Sequence, residues 1–355
     1  ANPQTGADYA YMLSGIVGYS DMGTDPNALQ VKAEGNTLTV TLVAPCAYML
    51  DLMAFPTFYA VKQSQVEAAE GFKDADGNII DAGAWALEKG FVSSGPFMLQ
   101  SWRHNESMVY VKNPYFWDAA NVQLEKLEFM LSADDVAIYA AYRAGDLDFI
   151  DTVPTDEIQT LLSTDDPEFY TVSELGTYYV CFNVKSPLYE GKTAEQASAM
   201  RRAFSLLIDR EYIVETVGQT GQLPATSFIP VGMLDGNGGI FHASNETGYG
   251  KTAPDVEAAI ALLESAGYVF ENGMLSASTP ISFEYLINES TGHVAIAECI
   301  QQDLAAIGIN MTIKTVDWDT LLAERKAGNF DVSRNGWIAD FNDPINMLEM
   351  WITNS

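Results

Sequence analysis

ERKAGNFDVSRNGWIADFNDP, residues 324–344, is the stretch from which the rest of the chain is read. It opens on the tail of a helix that the pattern places at 318–326. Ala327-Gly328 supplies a left-handed C-terminal stop. Phe330-Asp331-Val332 has the pattern of a buried strand, and Asn335-Gly336 of a break. An indole (Trp337), a carboxylate (Asp340), a phenyl ring (Phe341), an amide (Asn342) and a second carboxylate (Asp343) then follow before Pro344. Helix, short strand and a loop dense in polar and aromatic groups is how an α/β domain sets a ligand at the carboxyl end of a strand. An ordinary strand exit with surface acids fits the same pattern.

Working outward, residues 281–287 (strand), 293–307 (helix), 309–316 (strand), 318–326 (helix) and 330–332 (strand) read βαβαβ, which demands a largely parallel sheet with helical crossovers. Before them come a strand at 178–183, a long amphipathic helix at 199–217 with Ala203, Leu206, Leu207 and Ile213 on its apolar side, and a helix at 255–266 stopped at Gly267. The loop 218–250, rich in Gly, Pro and Thr, is long enough to cover or line a cleft. Residues 86–176 carry strands at 97–102, 108–112 and 126–131, a break at Asn113-Pro114, and a helix at 136–144 that ends in Ala144-Gly145. Residues 142–149 and 325–332 share one design: a basic helix end, Ala-Gly, then a short strand carrying Asp. Residues 1–85 read as a small α+β unit, with a strand at 37–42 and a helix at 61–69. Asp74 and Asp76 imitate a calcium loop, but the glycine is misplaced and Trp85 stands where a late Glu is required. A hairpin turn at Asp76-Gly77-Asn78 is the better reading.

The chain of 355 residues holds 48 acidic against 18 basic side chains, a net charge of −30. Such a surface repels phosphate backbones and anionic headgroups, which argues against nucleic-acid and direct membrane binding. No apolar run is long enough to span a bilayer. Cys46, Cys181 and Cys299 are odd in number and widely spaced, so neither a disulfide framework nor a zinc site is expected. The chain opens at Ala1-Asn2-Pro3 without a leader pattern and stops just after an apolar segment, so we expect an internal fragment of a longer protein. No nucleophile elbow, Walker loop, zincin motif or dinucleotide fingerprint occurs. His104, His242 and His293 are far apart; His104 and His293 read as solvated or capping residues. Neither a cofactor nor an enzyme activity is expected. An acidic chain with two α/β lobes and no catalytic motif reads as a binding protein.

Several motifs go beyond pattern. Ser94-Gly95-Pro96-Phe97 with Trp102, and Lys112-Asn113-Pro114-Tyr115-Phe116-Trp117, resemble the signature region of the family 5 extracellular solute-binding proteins, the peptide receptors of ABC importers. Residues 142–148, Phe182-Asn183, 200–210, 262–268 and 325–344 match in family order along nearly the whole chain. Residues 334–340 and the Tyr178-Tyr179 pair most resemble the oligopeptide-binding branch. The resemblance implies a periplasmic-binding-protein-like, two-lobed α/β fold of class II type with an inserted accessory α+β domain, incomplete at both ends. Residues 1–85 would be part of the accessory domain, 86–176 part of lobe I, and 177–355 lobe II without its returning segment.

By the same resemblance, an extended oligopeptide binds between the lobes through backbone hydrogen bonds, and the receptor, a monomer, delivers it to permease subunits. It would work outside the cytoplasm, in a periplasm or lipid-anchored on the outer face. Asp340 stands where the family holds the peptide α-ammonium, and Arg325 and Arg334 where basic residues meet the peptide carboxylate. Trp318, Trp337, Tyr178 and Tyr179 match positions that wall the cleft, with Asn335 and Gly336 beside them. The chemistry agrees: a desolvated ammonium needs a carboxylate, and guanidinium suits a carboxylate best. Capping of a following helix at 342–350 is the other role open to Asp340. One departure stands out: relatives in the Gram-negative oligopeptide branch carry a cysteine two residues before the ammonium-binding acid, and here that residue is Ile338. Another cargo of the family (nickel chelate, haem, oligosaccharide) remains open, as does a hydrolase working from an acidic cleft with Asp340 and Asp343.

Overall fold

The computed structural model describes residues 2–25, 27–241 and 251–352. His242 and the end of the 218–250 loop lie outside the described residues. The chain divides into two compact units, Ala1–Ser132 and Ala133–Ser355.

In the first unit, β1 (Val31–Glu34) and β2 (Thr37–Val40) form a hairpin, followed by the short helices α1 (Met49–Ala54) and α2 (Gln63–Glu67). The turn expected at Asp76-Gly77-Asn78 is there. Asp74 Oδ1 accepts from the Asn78 amide at 2.8 Å, and Gly77 takes φ +88°. An antiparallel meander, β3 (Phe97–Arg103), β4 (Ser107–Lys112) and β5 (Lys126–Met130), follows. The motifs around it act as a clamp. Asn113 is fully buried; its Nδ2 donates to the carbonyls of Ser93 (3.0 Å) and Gly95 (2.8 Å), and its backbone N–H donates to Pro96 O (2.8 Å). The amide thus bonds the turn before β3 to the exit of β4, which explains why those residue types occur there.

The second unit starts with α3 (Asp135–Ala144) and α4 (Thr155–Ser163). Asp134 caps α3, and Gly145 ends it at φ +84°, the left-handed stop read from Ala-Gly. No strand forms at 146–150, contrary to the expectation from the 142–149 and 325–332 likeness. The helix end is repeated in the two segments; the strand is not, because residues 146–150 find no sheet edge to pair with.

The sheet of this unit has four strands in the order β10-β9-β11-β6: β6 (Gly176–Phe182), β9 (Ser282–Asn288), β10 (Asn310–Val316) and β11 (Val332–Ile338). A small hairpin, β7 (Phe270–Glu271) with β8 (Met274–Leu275), precedes β9. Strands β10 and β11 both pair parallel to β9, through α8 (Thr291–Ala305) and α9 (Trp318–Ala327), as the βαβαβ pattern required. β6 closes the sheet antiparallel to β11 over seven residue pairs, Val332↔Phe182 through Ile338↔Gly176. This pairing carries β11 straight through Asn335-Gly336, where a break was expected. A paired neighbour supplies the backbone bonds that the local Asn-Gly signal would otherwise give up to a turn.

The main core lies on the face of the sheet formed by Phe283, Tyr285 and Ile287 of β9, alternate residues of one strand. Against it pack Met200, Ala203, Phe204 and Leu207 of α5 (Ala194–Leu207), Ala259 and Leu263 of α7 (Val256–Ser265), and Ala297, Ile300 and Leu304 of α8. The helix read at 199–217 is really two pieces. α5 stops at Ile208, Asp209 caps a short α6 (Arg210–Ile213), and a π turn follows. The Arg210 guanidinium fastens this break to Ser205 O and Lys251 O, at 3.1 and 2.9 Å. At the other end of the sheet, Asn183 Nδ2 donates to Gly328 O (3.0 Å) and Phe330 O (2.8 Å), tying the exit of β6 to the entry of β11. Asp331 accepts from Ser186 Oγ and from the Glu284 amide, so this acid belongs to the framework.

Candidate functional site

The carboxyl ends of β9, β10 and β11 and the start of β6 meet at one end of the sheet, and the ligand-site residues named from the sequence lie on or beside these elements, except Arg325, which the last turn of α9 sets back toward Cys181. Alternation along the paired strands divides them. Arg334 and Tyr178 share the face of Val332 and Val180; Asn335, Trp337 and Tyr179 share the other.

On the first face, the Arg334 guanidinium lies 5.5 Å from the Tyr178 ring and 5.6 Å from the ring of Trp318, at the start of α9. Both are cation–π distances. No described carboxylate lies within ion-pair distance of Arg334 or Arg325. Tyr178 Oη sits 3.4 Å from His293 Nδ1, with the two rings 5.6 Å apart. Burial, reinforced by the Arg334 charge, holds His293 down to about 4, against a weaker pull upward from Asp135. A neutral His293 therefore stands beside a permanent cation. Sequence reading took His293 for a solvated or capping residue; its place in this group comes from tertiary packing. Tyr178 is pushed up by burial, with Arg334 working against that push.

On the second face, Trp337 and Ala339 pack against a small core of Ile229, Met233 and Met347. Tyr179 meets Phe228 edge-on at 4.9 Å and Trp351 at 5.8 Å, and burial raises its phenol to about 12. Arg325, in the last turn of α9, is held below its usual range by burial and interacts with Tyr179 and Cys181. The joint of this face is Asn346 in α10 (Ile345–Leu348), which has no solvent exposure. Its Oδ1 accepts from Trp337 Nε1 at 3.1 Å and from the Asp340 amide at 2.8 Å. One buried oxygen thus fixes both the indole and the backbone of the acid. Sequence reading missed Asn346, although a lone amide within Pro344-Ile-Asn-Met-Leu348 was the available sign.

Asp340 is half-buried. Helix α10 is shorter than the expected 342–350 and begins at Pro344 with no side-chain cap. Asp343 makes the local turn bond, accepting from Ile345 N at 3.0 Å. Capping therefore does not account for Asp340. Glu349 adds a second carboxylate, raised by burial first and by the charge of Asp340 as well. Gly336 is exposed, and a Cβ built there would meet nothing nearer than 3.9 Å. The protein's own packing does not require a glycine at this strand position; Asn335 Oδ1 accepts from its amide at 2.9 Å. Among the described residues no group of three or more His, Cys, Asp or Glu side chains could hold a metal ion. The three cysteines are free and half-buried.

The sequence model of the bacterial extracellular solute-binding proteins, family 5, middle region, matches residues 1–355. The chain belongs to this family. The periplasmic murein peptide-binding protein MppA of Escherichia coli K12 is 30% identical over 98% of this chain and 61% of its own length. The probable deoxycholate-binding periplasmic protein YgiS of the same organism is 29% identical over 91% of this chain and 55% of its own. The structure of Haemophilus influenzae OppA in complex with RPPGFSPFR superposes with a TM-score of 0.81 at 27% identity, covering all of this chain and 66% of that one. The chain thus spans about three fifths of the length of the curated relatives it matches. The two-lobed α/β fold implied by the motifs is the fold of these family 5 relatives, and the family is one of binding proteins.

Proposed function

We propose that this chain is the greater part of a peptide receptor for an ABC importer, working outside the cytoplasm and passing oligopeptides to permease subunits. The observation that carries this reading is the Asp340 group. A carboxylate at the carboxyl end of the sheet has its backbone fixed by a fully buried Asn346 and serves no helix cap. A buried α-ammonium requires such a partner. Arg334, without a carboxylate of its own, is suited to a peptide carboxylate, and Gly336 leaves room for a ligand backbone at the strand edge. On this reading Trp318, Trp337, Tyr178, Tyr179 and Asn335 line the ligand, residues 1–85 belong to an accessory domain, 86–176 to lobe I and 177–355 to lobe II. Monomeric action, and a place either in a periplasm or lipid-anchored on the outer face of the cell membrane, belong to the same proposal. Mass spectrometry of ligand co-purified with the full-length protein tests it. Recovery of peptides is expected; recovery of sugars or a metal chelate with no peptide overturns it.

A second reading is supported by the deoxycholate-binding name of one relative. A bile acid offers a carboxylate and an apolar body but no ammonium. It would use the Arg334–Trp318 side and leave Asp340 idle. Competition of deoxycholate against a free and an N-acetylated peptide separates the two.

A further inference from the structure

Asn-Gly occurs three times in the chain, at 237–238, 272–273 and 335–336. The first two lie in turns: the Asp235 amide bonds Gly239 O around Asn237, and Asn272 takes φ +52° between β7 and β8. The third lies inside β11, at the end of the sheet that carries the candidate site, where a paired strand would ordinarily occupy the glycine amide. The register shows that it does not. The bonds from Asn183 N to Asp331 O (3.0 Å) and from Ala339 N to Leu175 O (2.8 Å) bracket the ladder of β6 and β11. They make Val332↔Phe182 and Ile338↔Gly176 pairs of the non-bonded kind, and by alternation Gly336↔Tyr178 is another. The Gly336 N–H therefore points away from β6. On that side β9 pairs with β11 only at Val332 and Ser333, so the ladder ends before Gly336 is reached. The acceptor it finds is the side chain of its own neighbour, Asn335 Oδ1, at 2.9 Å. Asn335 Cγ is one bond from that oxygen. The nitrogen of an exposed glycine, with no Cβ to shield it, is thus held beside the asparagine's amide carbon.

We propose that Asn335-Gly336 is a self-modifying site on the open edge of β11: the Gly336 nitrogen closes on Asn335 Cγ, ammonia leaves, and the aspartate or isoaspartate that results weakens ligand binding. The ligand's part in this rests on the peptide reading above. Hydroxide removes the Gly336 amide proton, and the nitrogen lone pair forms a bond to Cγ. The Cγ–Nδ2 bond breaks, and Nδ2 takes a proton from water and departs as ammonia. Water then opens the cyclic imide. Cleavage between the nitrogen and Cγ gives aspartate in an ordinary backbone. Cleavage between the nitrogen and the main-chain carbonyl carbon gives isoaspartate, with the chain running through Cγ. The balance is water in and ammonia out, with nothing oxidised or reduced. Either product adds a negative charge beside the Gly336 N–H, and a carboxylate holds that donor more tightly than a ligand carbonyl does. Isoaspartate also inserts a methylene between Arg334 and Trp337, which disturbs the alternation that sends them to opposite faces. A ligand backbone that takes the Gly336 N–H occupies the attacking nitrogen. The empty receptor therefore ages, and the filled one is protected.

The test is peptide mapping by mass spectrometry on the full-length protein held at mildly alkaline pH, with and without a mixed synthetic library of tri- to pentapeptides. A gain of one mass unit at residue 335 is expected, part of it as isoaspartate, and the library should slow it about tenfold. Gly336→Ala, whose Cβ has room, should slow it by about as much in the empty protein. The native and converted forms, separated by charge, are then compared by calorimetry with the tightest-binding peptide of the library. The converted form should bind about tenfold more weakly, and so should Asn335→Asp. No gain at residue 335 of the folded protein, over a period in which the urea-unfolded chain converts, overturns the site. Conversion that bound peptides do not slow, or a converted form that binds as the native one does, overturns its link to the ligand. Binding of no peptide in the library by the unconverted protein overturns the peptide reading itself, and a gain at residue 335 in that case still establishes the modification.

Discussion

The two faces at the end of this sheet hold opposite charges by different physics. Arg334 is held by the π faces of Tyr178 and Trp318, which hold a cation weakly and with little directional demand. Asp340 is held through its backbone by a fully buried amide that bonds an indole at the same time. In a chain with 48 acidic residues, pairing Arg334 with an internal carboxylate would have been simple, yet the described structure leaves it to aromatics. The contrast indicates that the acid face is built to a fixed geometry and the basic face to a tolerant one. A peptide's ammonium always sits at its first residue, whereas its carboxylate moves with length.

The strongest way to break this contrast is at Asp340. In the full-length protein, Asp340→Asn should cost about 2–5 kcal/mol of peptide affinity, because the ammonium stays buried without its counter-charge. Acetylating the peptide should cost the wild type a similar amount, and the two losses should not add. Calorimetry on the four combinations checks this. If the variant binds both peptides as the wild type does, the acid face is not the ammonium seat.

Next comes the joint of that face. Asn346→Ala leaves Trp337 Nε1 and the Asp340 amide without their acceptor, at a stability cost of about 2–3 kcal/mol in urea unfolding. A cost near zero would mean that the acid face is no more rigid than the basic one. Much of the frame around it was legible beforehand. The βαβαβ order and the Gly145 and Gly328 stops are local features, set by periodicity and side-chain chemistry within a few residues. The run of β11 through Asn335-Gly336 was not legible, because its cause is β6, some 150 residues away in sequence. Asn346, Glu349 and His293 stayed hidden for the same reason: each takes its meaning from a partner on another element.

His293 gives a smaller test of the basic face. Its folded value of about 4 lies below the ordinary 6.5, so its contribution to stability is complete above about pH 6.5. That contribution falls as pH drops from there toward 4, because the unfolded chain takes up the proton first. With partial exposure discounted, the loss should be about 1–2 kcal/mol. His293→Phe should flatten the stability profile between about pH 7 and pH 5. An unchanged slope would place the titration elsewhere and remove the neutral imidazole from the account of Arg334.

Arg334→Met should have the smallest effect on folding. Two cation–π contacts contribute about 0.5–1 kcal/mol each, and relief of the guanidinium's desolvation offsets part of that, so stability should shift by no more than about 1 kcal/mol. Its effect on binding should depend on the ligand. Free-acid peptides whose last residue reaches the Trp318 side should weaken, and their C-terminal amides should not. Arg325, lying toward Tyr179 and Cys181, would take its turn with peptides of another length. A length series of free-acid and amidated peptides against Arg334→Met, Arg325→Met and the double variant separates the possibilities. Loss confined to particular lengths of free acid is expected, with the double variant extending it to further lengths. Equal loss for acids and amides would make Arg334 a wall of the site and leave the ligand's carboxylate without a partner there. A folding cost above about 2 kcal/mol would show that the aromatic pair builds structure as firmly as Asn346 does, and the contrast between the two faces would be gone.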